Sequence, residues 1–462
     1  MTAVERSGAV QLSGAKVAVI GLGASGQAAA RLALIKGGQV YVSDLRADAA
    51  ATAGGTELRA LGADVEWGAH DVQRLADADL VVVSPGIPPH APVLDELRRR
   101  GVRWISEPEL AVRFFHGPLI AITGTNGKTT TTLLAAHLLE AAGLRVAVGG
   151  NVGGGFAPAA CELALRPDAP DWYVLEMSSF QLGAIVDFRP DIGVVTNLSP
   201  DHLDAYGNVE AYYADKARLF DNADARCRWV LRADDPAVAA LAGEAPGTRY
   251  GFAPEAGDGV HAFLRDGRIV LAVEGAEEEL FDVRELPLLG RHNHLNALCA
   301  ALIARLAGAS SEGIRRGLRT ATPLAHRLEP VADARGVLWV NDSKATNVAA
   351  TKSALESVSR PVVLLLGGKD KGEDFAVLRS ALSGVRQVVA FGAAGTRIAA
   401  ELEGAAPLTL MQADFGAVVR AAGAFAQDGD IVLLSPACSS FDMFENYEDR
   451  GRRFGALARE LA

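Results

Sequence analysis

The chain has 462 residues, 49% of them hydrophobic and 22% charged, with a formal net charge of −11. That length allows about three domains, each able to bury a core, and the acidic balance argues against nonspecific binding to nucleic acid or an anionic membrane. The cysteines (Cys161, Cys227, Cys299, Cys438) lack paired spacing, and neither a signal-peptide core in residues 1–16 nor a membrane-length apolar run occurs, so a soluble protein of a reducing cytoplasm is expected.

In chain order, Lys16–Ile20 reads as a strand, Gly21-Leu-Gly-Ala-Ser-Gly26 as a tight turn and Gln27–Lys36 as a helix. Val40–Ser43 is a second strand ending at Asp44. Alone this is a dinucleotide-binding fingerprint, equally a holder of another nucleotide diphosphate or a plain turn. Asp79–Val83 is a strand ending in the rigid turn Ser84-Pro-Gly-Ile87, and strand-to-helix units continue to about Glu107. Pro108–Pro118 leads into the phosphate loop.

Leu119-Ile-Ala-Ile122 is a buried strand, Gly124–Gly127 a glycine-bounded loop, and the spacing from Leu133 onward is helical. Strand, glycine loop, Lys128, the Thr129 hydroxyl and a helix make a polyphosphate grip: amides and the helix N terminus face the anion, lysine adds charge, and the hydroxyl can ligate Mg²⁺. Ile122 stands where the usual pattern has a glycine, so the loop is a shortened variant. A second nucleotide-binding start marks a second domain. Tyr173–Met177 and Ile192–Asn197 read as its buried strands, Ala245–Glu279 as hairpins or loop, and Gly290–Leu306 as a helix. After Pro323 the pattern restarts, with strands at Val337–Val340, Pro361–Leu366, Val388–Phe391 and Asp430–Leu434.

Glu176 ends its strand where a carboxylate can reach a metal held by Thr129. Asp201, His202 and Asp204 follow the next strand, placed for a second metal or a substrate. Lys216, in Tyr212-Tyr-Ala-Asp-Lys-Ala-Arg-Leu-Phe220, reads from composition as a solvated helix lysine. Asn293 and Asn296 share a helix face, and Arg327 is either a surface arginine or one that meets a γ-phosphate on domain closure. Three polar loops, Asn341–Asn347, Gly367–Lys371 and Ser435–Asp442, follow three strands and predict one crevice at their carboxyl ends. Ser439 and Ser440 are expected near a helix start able to hold a carboxylate.

Taken together, Gly124-Thr-Asn-Gly-Lys-Thr-Thr130, Gly149-Gly-Asn-Val-Gly153, Glu176-Met-Ser-Ser-Phe-Gln-Leu182, His292-Asn-His-Leu-Asn296, His326-Arg327, Asn341–Asn347 and Ser435–Asp442 resemble the Mur ligase family over essentially the whole length, closest to its D-glutamate-adding branch. The resemblance implies an α/β chain of three domains: a Rossmann-like UDP-substrate domain over 1–107, a central P-loop sheet over 108–323, and a Rossmann-like D-glutamate and ATP-closing domain over 324–462. It assigns Ala24, Ser25, Asp44, Arg46, Ser84, Gly86 and Asn151 to the UDP substrate rather than NAD. Gly124, Thr125, Asn126, Gly127, Lys128, Thr129, Thr130, Asn293, Arg327 and Asp342 go to ATP, and Lys344, Thr346, Lys371, Ser440 and Phe441 to D-glutamate. Two Mg²⁺ ions are expected, on Thr129 and Glu176 and on His202 and a carbamylated Lys216; Lys128, Glu176, His202 and Lys216 are the expected catalytic set. Leu45 departs from the hydroxyl residue often found between the Asp and Arg, and Phe441 and Tyr447 are apolar or aromatic variants.

The implied reaction adds D-glutamate to UDP-N-acetylmuramoyl-L-alanine through an acyl phosphate, in cytoplasmic peptidoglycan precursor synthesis, by a monomer without nucleic-acid or membrane partners. Folylpolyglutamate synthase shares the phosphate loop but normally lacks a first domain like residues 1–107, and a P-loop switch would use ATP without ligating anything.

Overall fold

The computed structural model describes residues 12–153, 155–273 and 275–461. Three sheets follow one another along the chain. The first joins β1 (Lys16–Ile20), β2 (Gln39–Asp44), β3 (Asp64–Trp67), β4 (Leu80–Val83) and β5 (Ile105–Ser106) in the order β3-β2-β1-β4-β5, all parallel. The order reverses between β1 and β4, so the turns after these two strands meet at a switch point, where open parallel sheets bind ligands.

The second sheet holds β6 (Leu119–Thr123), β7 (Val146–Gly150), β8 (Trp172–Glu176), β9 (Ile192–Val195), β10 (Arg228–Arg232), β11 (Thr248–Phe252), β12 (Val260–Arg265), β13 (Arg268–Val273) and β14 (Ala276–Asp282), in the order β14-β13-β12-β11-β10-β9-β6-β8-β7. β6 lies between β8 and β9, and every residue of it is buried. Strands covered on both faces carry continuous apolar runs, and Leu-Ile-Ala-Ile-Thr is one. The stretch after Ala245 does form hairpins, as expected, and they extend this sheet: β12, β13 and β14 are an antiparallel meander on its edge.

The third sheet contains β15 (Glu329–Ala334), β16 (Val337–Asn341), β17 (Val362–Gly367), β18 (Val385–Phe391), β19 (Leu408–Met411) and β20 (Ile431–Leu434), ordered β15-β16-β20-β17-β18-β19. Only the β15–β16 pair is antiparallel. Successive residues of β17 face opposite sides: Val362, Leu364 and Leu366 join one core, Val363 and Leu365 the other.

Two compact units result. One runs through Arg284 and takes in Leu295–Leu318, and the other comprises Glu285–His294 and everything from Arg319. In the first unit a continuous core runs from Val17 and Val19 to Leu119 and Leu175. The segment that leads into the phosphate loop is part of it: Glu107–Val112 is a buried helix. The Glu109 carboxylate accepts from the amides of Val186, Asp187 and Phe188 and pairs with Arg113, while Phe115 stacks on Tyr173. Among the described residues no helix is long and apolar enough to cross a membrane.

Candidate active site

The loop after β6 owes its shape to two glycines. Gly124 has φ +139°, and a Cβ there would stand 2.0 Å from Thr196 Oγ1; Gly127 has φ +81°, with Asn296 Oδ1 2.4 Å from its would-be Cβ. The loop after β9 brackets it. Thr125 N donates to Asn197 O at 2.9 Å and Asn126 N to Asn197 Oδ1 at 3.0 Å. Asn126 O accepts from Thr196 Oγ1 (2.7 Å) and Asn197 Nδ2 (2.9 Å). The helix Lys128–Ala141 starts directly at Lys128, earlier than apolar spacing suggested, because four threonines, three of them buried, fill its first turns. No side chain caps its N terminus, which leaves first-turn amides for an anion. Lys128 Nζ donates to Thr125 O at 2.9 Å, and Thr131 Oγ1 lies 3.3 Å from Asn296 Oδ1.

Lys216 overturns its reading as a solvated lysine. It is 1% exposed on the helix Val209–Ala217, its Nζ donating to Gly124 O at 2.8 Å and reaching Thr123 Oγ1 at 3.4 Å. Burial first, and then the charge of Lys128, pushes its ammonium well below the usual lysine range, so the site disfavours the charged form. Tyr212, one turn earlier, places its ring 4.7 Å from Nζ and its hydroxyl 3.3 Å from Thr125 Oγ1. Sequence reasoning missed Tyr212, Thr196 and Asn197; the four-residue spacing of Tyr212 to Lys216 on one helix was the available signal.

Glu176 pairs in register with Ile122 of β6 and Gly150 of β7. It is 2% exposed, its Oε1 accepts from Asn151 Nδ2 at 3.2 Å, and its Oε2 has no hydrogen-bond partner. Asn151 is thereby brought to the Glu176 carboxylate. His202 has φ +53°, a left-handed conformation that costs a non-glycine residue on the order of 1 kcal/mol. It is half-exposed beside Asp201, edge-on to Phe180 at 5.4 Å and 6.1 Å from the Tyr212 ring, so Tyr212 touches both His202 and Lys216.

At the switch point of the first sheet, Ser84 Oγ donates to Gly21 O at 3.3 Å, which joins the two turns. Asp44 accepts from Leu22 N at 2.7 Å and from Arg46 N at 2.8 Å, with the Arg46 guanidinium 3.2 Å away. Burial alone would raise this carboxyl; Arg46 and the two amides outweigh it and hold it below its ordinary value. Both Asp44 oxygens therefore help to shape the turn. Ala24 and Ser25 open the helix Ala24–Ile35, which no side chain caps, and Gly86 is exposed.

The second unit brings the three predicted polar loops together. Asp342 Oδ2 accepts from Ser435 Oγ at 2.7 Å and Oδ1 from Leu328 N at 3.2 Å, and burial pushes its carboxyl up to about 7. Lys369 and Ser439 exchange backbone hydrogen bonds at 2.8 and 3.1 Å, and Lys371 Nζ reaches Thr346 Oγ1 at 3.4 Å. Lys344 Nζ sits 4.2 Å over the Tyr447 ring. Ser440 is buried and Phe441 is 67% exposed. Neither Ser439 nor Ser440 stands at a helix start: the next helix is Tyr447–Leu461, and Ser440 O instead accepts from Met443 N and Phe444 N in a turn. Arg327 lies between two left-handed residues, His326 and Leu328, and Asn293 Nδ2 donates to Leu289 O at 2.7 Å.

Three family models account for most of the chain: Mur ligase MurD-like, N-terminal domain, over residues 15–106; Mur ligase middle domain over 122–304; and Mur ligase, glutamate ligase domain, over 326–438. The UDP-N-acetylmuramoylalanine--D-glutamate ligase of Acidobacterium capsulatum is 44% identical over 453 residues, 97% of each chain. That of Koribacter versatilis is 40% identical over 457 residues, 98% of this chain and 99% of its own. Among solved structures, the UDP-N-acetylmuramate-alanine ligase MurC of Thermotoga maritima matches with a TM-score of 0.59 at 19% identity, over 97% of this chain and 100% of its own, a likeness of fold. With near-complete coverage at such identity, the chain belongs to the Mur ligase family.

Proposed function

We propose that this chain is an ATP-dependent ligase that joins D-glutamate to UDP-N-acetylmuramoyl-L-alanine, forming ADP and phosphate, in cytoplasmic peptidoglycan precursor synthesis, and that it acts as a monomer. The observation that carries the reading is the buried Lys216 amine held 2.8 Å from the backbone of the phosphate loop. The substrate carboxylate attacks the γ-phosphorus of ATP, the bond to the β-phosphate oxygen breaks, and an acyl phosphate and ADP result. The D-glutamate amine then attacks the acyl carbon, the tetrahedral adduct expels phosphate, and the amine proton is lost.

Two anions meet in the first step, so neutralisation is the main catalytic demand. The loop Gly124–Thr130 cradles the phosphates with its amides, and Lys128 adds a fixed positive charge. Asn293, Arg327 and Asp342 hold the nucleotide. Ala24, Ser25, Asp44, Arg46, Ser84 and Gly86 hold the uridine diphosphate, Asn151 orients the acyl end, and Lys344, Thr346, Lys371, Ser440 and Phe441 receive D-glutamate.

The donor set fits Mg²⁺: Thr129 supplies a hydroxyl, and the buried Glu176 Oε2, without a hydrogen-bond partner, is the hard anionic oxygen such an ion takes. A second ion suits His202 with Lys216 once the amine has added carbon dioxide as a carbamate. Bound there, Mg²⁺ would supply charge neutralisation to the phosphoryl oxygens. Lys216 is suited to carbamylation because burial disfavours its charged form, and the Tyr212 ring lies 4.7 Å from its Nζ.

The test is ADP release with UDP-N-acetylmuramoyl-L-alanine and ATP, comparing D-glutamate with L-glutamate, L-lysine and D-alanine. D-glutamate alone should support turnover, and Lys128→Ala should lower it by orders of magnitude. ADP release that needs no amino acid, or an undiminished Lys128→Ala, would overturn the proposal.

A further inference from the structure

The helix Tyr447–Leu461 is rich in charge, with Arg450, Arg452 and Arg453 close together, yet Arg450 is 0% exposed. A buried guanidinium normally meets a carboxylate. Here, among the described residues, its partners are all neutral. Nε donates to Ser343 Oγ at 2.9 Å and Nη2 to Ser343 O at 2.9 Å, while Nη1 reaches Cys438 O at 3.1 Å and Ser439 O at 3.4 Å. Burial pulls the guanidinium down to about 10, so it stays charged at neutral pH.

These partners lie on two different loops. Ser343 belongs to the loop after β16 and immediately precedes Lys344; Cys438 and Ser439 belong to the loop after β20 and immediately precede Ser440. Ser343 Oγ also donates to Tyr447 O at 2.8 Å, which ties the first loop to the same helix. The loop after β17 closes on the same point: a Cβ on Gly368 would stand 3.1 Å from Arg450 Nη1 and 2.3 Å from Ser439 O. A glycine there makes room for the guanidinium. A planar fork with donors in fixed directions reaches oxygens on both loops at once; a lysine, a point charge on a flexible stem, cannot.

We propose that Arg450 is a positioning residue for the amino-acid substrate, its buried guanidinium clamping the loop that carries Lys344 and Thr346 to the loop that carries Ser440 and Phe441. It touches no substrate itself and acts by fixing the spacing between two sets of D-glutamate contacts. This rests on the ligase reading above.

The test measures each KM separately in Arg450→Lys, Arg450→Gln and Arg450→Ala. Arg450→Lys, which keeps charge and approximate volume, should raise the KM for D-glutamate at least tenfold while the KM for the UDP substrate stays within twofold. In Arg450→Ala, guanidinium ion at sub-denaturing concentration should restore D-glutamate affinity, and ethylammonium at the same concentration should not. A wild-type KM for D-glutamate in both Arg450→Lys and Arg450→Gln would overturn the clamp while leaving the ligase reading intact. Equal loss for both substrates, tracking a lowered thermal midpoint, would reduce Arg450 to a fold element and overturn it too. A wild-type chain that fails to select D-glutamate would overturn both proposals.

Discussion

Glu107 titrates where most carboxyls do not, and replacing it by glutamine isolates the consequence. The residue is 0% exposed at the start of the helix Glu107–Val112, where the core passes from the first sheet to the second. One carboxyl oxygen accepts from Cys161 N, and Oε2 has no hydrogen-bond partner. Burial is the largest influence, with Glu162 adding repulsion, and together they push the carboxyl from 4.5 up to about 7 against the opposing bonds from Cys161. The folded chain thus keeps this proton to about pH 7, whereas the unfolded chain releases it near 4.5. Between those values the native state binds more protons, so stability falls as pH rises, by about 1.4 kcal/mol per unit. The whole interval amounts to about 3 kcal/mol, intact below 4.5 and lost above 7.

Glu107→Gln keeps the acceptor for Cys161 N and cannot ionise. The variant should match wild type at about pH 4 and exceed it by up to about 3 kcal/mol at about pH 8. Asp342, in the other unit, titrates over a similar interval, so the comparison is made between the two chains at each pH. Hydrogen exchange at the Cys161 amide, corrected for intrinsic rate, reads the local opening energy. A variant-minus-wild-type difference that stays constant from pH 5 to 8 would refute the reasoning.

Gly127→Ala would force a side chain into a left-handed turn and toward Asn296 Oδ1. The expected loss is about 2 kcal/mol of stability and at least a tenfold rise in the KM for ATP, read by thermal unfolding and ADP release; an unchanged KM would detach this loop from the nucleotide. Lys216→Ala should be inactive and regain part of its turnover with a short-chain carboxylic acid, which replaces the carbamate oxygens. Full activity without the acid would remove Lys216 from the chemistry.

Where the local chemistry is self-contained, the chain can be read directly. The apolar run of β6, the glycines after it and the lysine at the helix start are one contiguous stretch, and the polar loops after β16, β17 and β20 each announce a strand end. Contacts made across sequence were not legible. Lys216 meets Gly124 O, 92 residues away, and nothing within its own helix marks it as buried. Arg450 looks like its neighbours Arg452 and Arg453 until the loops it holds are placed beside it. β15, with Pro330 and the two polar residues Glu329 and Asp333 at the sheet edge, lacks the apolar run that betrays central strands. The helix Glu107–Val112 was hidden by Pro108, which fits a first helical turn as readily as an irregular stretch.

The reciprocal bonds between Asn126 and Asn197 carry a thermodynamic implication of their own. Because the backbone around Gly124–Gly127 is ordered by its neighbour from β9, immobilising it is a cost met during folding rather than at each encounter with nucleotide. A chain with Asn197→Ala would have to freeze that segment anew for every molecule of ATP it captured, and calorimetry would register the difference as a more unfavourable entropy of association.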